Sequence, residues 1–209
     1  MAIDVHTLAD AIERANRAMG GLTDQLNAAD AKLGDGDTGT MLARLIGSFA
    51  AVDLQNAPDL GAGFMALAKT GAASTGSSLG TLIVTAMMTA GKASAGQDAI
   101  EWNGLSQILL AVRDAAMARG KAELGAKTII DGLDALARAI AGKDDPAAIA
   151  AAAREAMDQA LLEFRERPSA IGRARMFAEK SVGLDDPGML ALAEIVRAVT
   201  TNHSATALA

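Results

Sequence analysis

Four glycine-rich stretches divide this 209-residue chain into segments whose apolar residues recur at helical spacing. The stretches cover residues 30–40, 70–80, 120–128 and 172–188. Aromatic residues make up 2% of the chain and hydrophobic residues 51%, so Ala, Leu, Ile, Val and Met must form the core. Because small and unbranched side chains favour helix over strand, the sequence predicts an all-α fold.

The apolar periodicity also places the individual helices, and Gly20-Gly21 is predicted to end the first of them. Helices joined by short loops are typical of a single up-and-down antiparallel barrel or bundle, here one domain over residues 1–209. In such a fold alternate loops lie at the same end, so the four glycine-rich stretches are expected to meet. The predicted helices cover residues 3–19, 24–30, 40–52, 60–69, 79–88, 102–119, 129–140, 146–167 and 189–199, with a short helix near 173–180.

Charge and composition exclude several classes of function. The net charge is −6 and no long basic run occurs, which argues against nucleic acid or an anionic membrane surface as a partner. No apolar stretch reaches the roughly 18 residues that a membrane span needs, and the first residues do not read as a signal peptide. The absence of cysteine excludes disulfides and thiolate metal sites and fits a cytoplasmic location, which we therefore expect.

The first glycine-rich stretch carries three carboxylates, Asp30, Asp35 and Asp37, within eight residues. Its glycines let the backbone turn sharply and bring neighbouring side chains together. Crowded carboxylates repel one another unless a cation neutralises them. With only oxygen ligands nearby, the expected ion is Mg²⁺, Mn²⁺ or Ca²⁺.

The spacing does not fit a dedicated Ca²⁺ loop of the EF-hand type. Position 12 of such a loop must be Glu, but it falls on Ile46 counted from Asp35 and on Met41 counted from Asp30. The helix that opens after Thr38 offers free N–H groups to a phosphate, so the stretch predicts a metal–nucleotide site. A solvated acidic turn that caps two helices is the alternative, and spacing alone leaves both open.

The other three stretches are weaker signals. Residues 70–80 are rich in hydroxyls and could approach a phosphate, but no Walker A lysine follows, and a flexible interhelical loop explains them equally well. Lys121 and Lys127 could bind phosphate or simply be exposed. Arg173 could pair with phosphate or with any acidic side chain.

Taken together, four blocks in order along nearly the whole chain resemble the nucleotide-binding L subunit of dihydroxyacetone kinase (DhaL, the DAK2 domain). This resemblance implies an antiparallel up-and-down barrel of eight helices that binds ADP or ATP at one end. The blocks are Asp30-x4-Asp35-Gly-Asp37-x-Gly39, Gly120-Lys121-Ala122-Glu123-x-Gly125-x-Lys127-Thr128, Gly172-Arg173-Ala174 and Asp186-Pro187-Gly188.

The resemblance also implies roles for particular residues. Asp30, Asp35 and Asp37 would hold Mg²⁺, with two ions expected, and would act in catalysis together with Arg173. A further set of residues would line the nucleotide. These are Thr38, Gly39, Thr40, Met41, Ser74, Thr75, Gly120, Ile129, Arg173, Asp186, Pro187 and Gly188.

Three departures from the family pattern leave the acceptor open. Thr38 replaces the usual His, as in the related domain of fatty-acid kinase, and Ala126 replaces the usual Asp before Lys-Thr. The usual Gly-Ala-Ser-Gly is spread over residues 73–76, so that alignment could slip by one.

By resemblance, the chain is a phosphotransferase subunit that passes a phosphoryl group to a hydroxyketone bound on a separate K subunit. The phosphoryl source could be exchangeable ATP, or a phosphotransferase-system protein acting on tightly held ADP. The alternatives are a kinase half for a tetrose such as erythrulose or for a fatty acid, and a nucleotide-loaded regulatory module. A homodimer is a further hypothesis about partners.

Overall fold

The computed structural model describes residues 2–201, apart from the side chain of Arg173. Eight α-helices occupy most of this range, and none of them combines the length and apolar character that crossing a bilayer requires. The helices are α1 (Val5–Asp30), α2 (Thr38–Ala50), α3 (Leu60–Ser74), α4 (Ser78–Ala93), α5 (Leu105–Gly120), α6 (Ile129–Ala139), α7 (Pro146–Arg165) and α8 (Pro187–Thr200).

The helices form a closed ring in chain order. Each packs against the next, and α8 returns to pack against α1. Short 3₁₀ turns occur at Trp102–Gly104, Arg173–Phe177 and Glu179–Ser181. The predicted antiparallel eight-helix barrel is therefore confirmed.

A small sheet is an addition that the sequence did not predict. Strand β1 (Ala2–Asp4) pairs antiparallel with β2 (Ala99–Glu101), with Ile3 opposite Ile100. Strands of three residues are too short to show a periodicity of two, so the pattern predicted a helix from residue 3 instead.

Side-chain caps explain where most of the helices begin. An Asp, Ser or Thr oxygen accepts a hydrogen bond from a backbone N–H of the first turn and satisfies one of its unpaired donors. The capping residues are Asp4 for α1, Asp59 for α3, Ser77 for α4, Thr128 for α6, Asp145 for α7 and Asp186 for α8. Helix α2 differs, because its N-cap residue Asp37 makes no side-chain capping bond.

Three apolar clusters fill the ring. The first joins α1 and α2 around Leu26, Leu42 and Leu45, with Leu67 of α3 beside them. The second joins α6, α7 and α8. The third is small, contains Ala116, Ala122 and Ile130, and lies where two of the glycine-rich loops begin. Aliphatic side chains and methionine dominate these clusters, as the composition predicts.

The prediction that Gly20-Gly21 ends the first helix is wrong. Helix α1 runs without a break through both glycines to Asp30. The two glycines are exposed, whereas Met19 and Leu26 on either side are buried in the first cluster. Burial of that apolar stripe outweighs the roughly 1 kcal/mol that each glycine costs inside a helix.

The second glycine-rich stretch is shorter than predicted. Helix α3 continues to Ser74 and α4 begins at Ser78, so the loop between them is limited to residues 75–77. The hydroxyls of Ser74 and Thr81 donate to carbonyls one turn earlier in their own helices. Satisfied in this way, Ser and Thr remain inside a helix instead of ending it.

Candidate metal and phosphate site

The four glycine-rich loops converge on one cavity of about 550 Å³ at one end of the barrel. Its walls come from residues 30–41, 77–82, 119–130 and 171–188. The prediction that alternate loops meet is therefore confirmed. Two antiparallel helices return the chain to the end of the barrel from which it started. Two helices lie between each successive pair of these loops in the observed order, so the loops share one end.

The three carboxylates of the first loop come together at this cavity. Asp30, Asp35 and Asp37 each place one oxygen within 4.8 Å of the others. Asp30 is buried, whereas Asp35 and Asp37 are exposed. Carboxylate oxygens are the donor type that Mg²⁺, Mn²⁺ or Ca²⁺ prefers, and water or phosphate would complete the coordination. That the cluster holds a metal remains a prediction.

Backbone hydrogen bonds fix the position of the buried carboxylate. Oδ2 of Asp30 accepts the N–H of Asp37 at 3.0 Å and the N–H of Thr38 at 3.3 Å. Asp30 is the last residue of α1, where the helix dipole disfavours negative charge, and these two amides at the start of α2 offset that cost. A carboxylate has about four acceptor positions, so Asp30 retains capacity for a cation.

Glycine is required at Gly34 and Gly39 for space, not for backbone rotation. Of the three glycines in this loop, Gly36 has a positive φ, 76°. A Cβ on Gly34 would overlap Oδ1 of Asp30, and a Cβ on Gly39 would overlap the carbonyl oxygen of Thr23 in α1. Close packing of the loop against α1 therefore explains two of these glycines.

Gly39 and Thr40 do not line the cavity, although both were predicted to face the nucleotide. They face α1, where the N–H of Thr40 donates to Oδ1 of Asn27 at 3.1 Å. The N–H of Thr38 is likewise bonded to Asp30. The expectation of free N–H groups at this helix start is therefore wrong for Thr38 and Thr40.

In the second loop, the residues that line the cavity are not the predicted ones. Ser74 and Thr75 do not line the cavity, but Ser77 and Ser78 do. Ser77 caps α4, and its Oγ accepts the N–H of Gly80 at 2.9 Å. The cap pattern of Ser77, a hydroxyl directly before an apolar run, is the signal that could have identified it.

In the third loop, Gly120 and Ile129 line the cavity as predicted, together with Ala122 and Thr128. Lys127 does not. Its ammonium is buried, and all three of its N–H groups donate to backbone carbonyls, so phosphate binding by Lys127 is excluded in this structure.

The last predicted block also reaches the cavity, through Asp186, Pro187 and Gly188 at the start of α8. Asp186 caps that helix by accepting the N–H of Met189 at 2.8 Å. Burial raises the pKa of Asp186 to about 6, although the N–H groups of Met189 and Gly188 favour its charged form. The predicted role of Arg173 concerns a side chain outside the described part of the structure.

Chemically, the cavity wall combines charged and apolar side chains. Asp30, Asp35, Asp37 and Asp186 contribute carboxylates, and Arg119, which was not predicted, is the cation among the described side chains of the wall. The apolar side chains of the wall are Leu33, Met41, Leu79, Leu82, Ile129, Ile130 and Ile171. Such a wall offers carboxylates to a cation and an apolar surface to a flat ring.

The raised pKa of Asp186 predicts a pH-dependent stability difference in Asp186→Asn. The folded pKa is about 6 against an ordinary 3.8, so the folded state binds the proton more tightly than the unfolded chain. The contribution of Asp186 to the stability of the wild type should then fall as pH rises from about 4 to about 6, by roughly 2–3 kcal/mol. Asn also caps helices and carries no charge. We therefore expect Asp186→Asn to gain stability relative to wild type between pH 5 and pH 7.5, as measured by urea unfolding.

The matched control for this measurement is Asp59→Asn, which makes the same change at the N-cap of α3. It reports the effect of replacing a capping carboxylate by an amide. An Asp186→Asn stability difference that is equal at the two pH values would show that burial does not perturb this carboxyl group.

Comparison with known proteins gives a consistent result. The family model described as the DAK2 domain matches residues 32–201. L-erythrulose 1-kinase of Mycolicibacterium smegmatis is 32% identical over 186 residues, covering 84% of this chain and 32% of that protein. The ADP-binding subunit DhaL of the PEP-dependent dihydroxyacetone kinase 1 of Listeria innocua is 27% identical over 175 residues, covering 83% of this chain and 84% of that subunit.

Among solved structures, the native form of the dihydroxyacetone kinase of C. freundii matches with a TM-score of 0.71 and 25% identity, over 92% of this chain and 33% of that one. The chain thus spans about a third of the M. smegmatis and C. freundii kinases, but most of the L. innocua subunit.

Proposed function

The chain belongs to the DAK2 domain family, and we propose that it is the nucleotide-binding subunit of a dihydroxyacetone-type kinase. The observation that carries this proposal is the cluster of Asp30, Asp35 and Asp37 at a cavity built by four loops. The name of the L. innocua relative, an ADP-binding subunit that the chain covers over 84% of its length, supports it. Single-domain organisation, a cytoplasmic location and a homodimer remain predictions from the sequence.

Charge explains why metal and nucleotide would bind together. Three carboxylates contribute about −3, two Mg²⁺ ions +4 and ADP about −3, so the complex sums to about −2, compared with about −6 without metal. Bound at Asp30, Asp35 and Asp37, the ions would neutralise charge that develops on the phosphoryl group. Two ions are the number that we propose.

The chain's own residues would then orient the nucleotide. Ser77 and Ser78 line the cavity and could donate hydroxyl hydrogen bonds to phosphate, and the apolar side chains of the wall could receive the base. No histidine of residues 2–201 lines the cavity, so the described wall offers no imidazole base for an acceptor hydroxyl. We therefore propose that the acceptor is bound and activated on a separate K subunit.

A second acceptor is supported by a specific observation. The M. smegmatis relative, at 32% identity, is named for L-erythrulose, a tetrose. Thr38, on the cavity wall, stands where the family usually has His, so acceptor specificity could differ from that of a dihydroxyacetone kinase. A tetrose kinase half is therefore our second candidate.

The requirement for a partner predicts the result of a reconstitution experiment. We expect the purified chain with Mg-ATP to give no turnover of dihydroxyacetone or erythrulose, and turnover only after a K subunit is added. Coupled detection of ADP measures the rate, and the K subunit alone is the control. Robust turnover by the isolated chain would overturn the partner requirement.

The source of the phosphoryl group needs a separate measurement. The nucleotide content and the nucleotide off-rate of the purified chain distinguish exchangeable ATP from tightly held ADP.

A further inference from the structure

Lys127 has the most deeply buried charged side chain that the described residues contain. It is 1% exposed, and its Nζ donates to the carbonyls of Arg165 at 3.0 Å, Arg167 at 2.8 Å and Ser181 at 2.6 Å. An ammonium has three N–H groups, so these bonds use all of them. Burial lowers the pKa of Lys127, and the nearby carboxylate of Asp186 opposes that change.

The three carbonyls lie on both sides of one irregular segment. Arg165 is the last residue of α7, Arg167 lies two residues beyond it, and Ser181 is the last residue of the 3₁₀ turn Glu179–Ser181. Between them, residues 168–180 carry Gly172 and Ala174 to the cavity wall. One ammonium therefore holds both ends of the segment that forms this wall.

Lys127 itself belongs to the facing loop. The next residue, Thr128, lines the cavity and caps α6. The backbone of Lys127 has a φ of 59°, in the left-handed region that a residue with a side chain seldom adopts. The ammonium thus connects two walls of the cavity without lying in the cavity itself.

Neighbouring bonds strengthen the same connection. The N–H of Ala170 donates to the carbonyl of Ala126 at 3.1 Å, and the N–H of Ser169 donates to Oγ of the buried Ser181 at 2.8 Å. Each of these bonds joins one pair of residues, whereas the Lys127 ammonium donates to three carbonyls. The carbonyls at the end of α7 also favour a positive charge at the position of the ammonium.

We propose that Lys127 is a positioning residue that sets nucleotide affinity by holding segment 168–180 against loop 120–128. It does so without touching the nucleotide or the metal. The inference rests on the proposed function, because it assumes that the cavity binds a nucleotide.

The test compares Lys127→Met and Lys127→Gln with Lys121→Met. Lys121 lies in the same loop and has a similar φ of 50°, but it is exposed, so it is the matched control. Titration calorimetry measures the affinity for Mg-ADP and, separately, for Mn²⁺ alone. We expect both Lys127 variants to lose about 10- to 100-fold in ADP affinity, the loss that is typical when a residue that orients the ligands of a metal site is removed. Mn²⁺ affinity, and both affinities of Lys121→Met, should stay near those of wild type.

A chemical rescue separates positioning from general stability. The chain has no cysteine, so Lys127→Cys introduces a single thiol that can be alkylated selectively with bromoethylamine in the unfolded chain, which is then refolded. The product restores an ammonium at nearly the original length. We expect ADP affinity to return, and amide exchange in residues 168–180, accelerated in Lys127→Met, to slow again.

The outcomes are distinguishable. Folded Lys127→Met with wild-type ADP affinity overturns the inference, as does equal loss of ADP and Mn²⁺ affinity. Failure of every uncharged variant to fold would assign Lys127 to overall stability, and the proposal would fail. If wild type itself does not bind Mg-ADP, the proposed function fails instead, while the exchange measurement still tests the connection between the two walls.

Discussion

Asp35→Ala and Asp37→Ala should each abolish Mg²⁺–nucleotide binding while leaving helix content unchanged. Both carboxylates are exposed, so they contribute little to the core, and Asp37 makes no side-chain capping bond to α2. Removing a ligand from a three-carboxylate site should cost at least the roughly 100-fold in metal affinity that loss of a supporting residue can cost. Titration calorimetry with Mg-ADP and with Mn²⁺, together with circular dichroism, measures both parts of this prediction.

Asp24→Ala is the matched control, because Asp24 is an exposed residue of α1 and its loss changes the net charge equally. Wild-type affinity in either loop variant would show that the carboxylate cluster is not the metal site.

Asp30→Ala should differ from both loop variants. Its loss leaves two backbone N–H groups without their acceptor, so it should also destabilise the loop, by about 1–3 kcal/mol.

The parts of the fold that sequence reasoning predicted are those governed by local pattern. Helical periodicity depends on residues three or four apart, and it located the eight helices that the described residues form, although it divided α1 into two. The carboxylate cluster was also predictable, because Asp35 and Asp37 are two residues apart and Asp30 is one turn away. The meeting of the four loops followed from counting helices.

The parts that it missed depend on contacts between distant residues. Lys127 is of a residue type that often binds phosphate. The backbone carbonyls that accept its hydrogen bonds, however, lie 38 to 54 residues further along the chain. Gly20 and Gly21 are typical of a helix C-terminus, but the burial of Leu26 beyond them stabilises a continuous helix. In each case a long-range contact decides the role, and neither residue type nor spacing reports it.

Gly39 depends on both local pattern and a long-range contact. It lies in the acid loop that the sequence predicted, but the need for glycine at this position comes from its contact with α1. A Cβ at this position would overlap the carbonyl oxygen of Thr23 and lie 2.8 Å from its carbonyl carbon. Both atoms belong to the rigid backbone of α1, so they cannot move aside as a side chain could. The start of α2 would have to move away from α1.

Gly39→Ala should therefore impair stability and metal binding together. Displacing α2 moves the amides of Asp37 and Thr38 away from Asp30, which breaks the two bonds that hold the Asp30 carboxylate against the start of α2. We expect a loss of about 1–3 kcal/mol in the free energy of unfolding, as is typical of overpacking. Mn²⁺ affinity should fall more than 10-fold although no carboxylate is removed.

Gly47→Ala isolates the contribution of the residue type, because it makes the same change two turns further along α2. A Cβ there would have its nearest neighbour, Oδ1 of Asn16, at an ordinary 3.8 Å. Ala is about 1 kcal/mol more favourable than Gly inside a helix, so Gly47→Ala should be as stable as wild type or more stable, with unchanged Mn²⁺ affinity. If Gly39→Ala behaves in the same way, the contact between Gly39 and Thr23 does not control the geometry of the carboxylate cluster, and that geometry must be set within the loop itself.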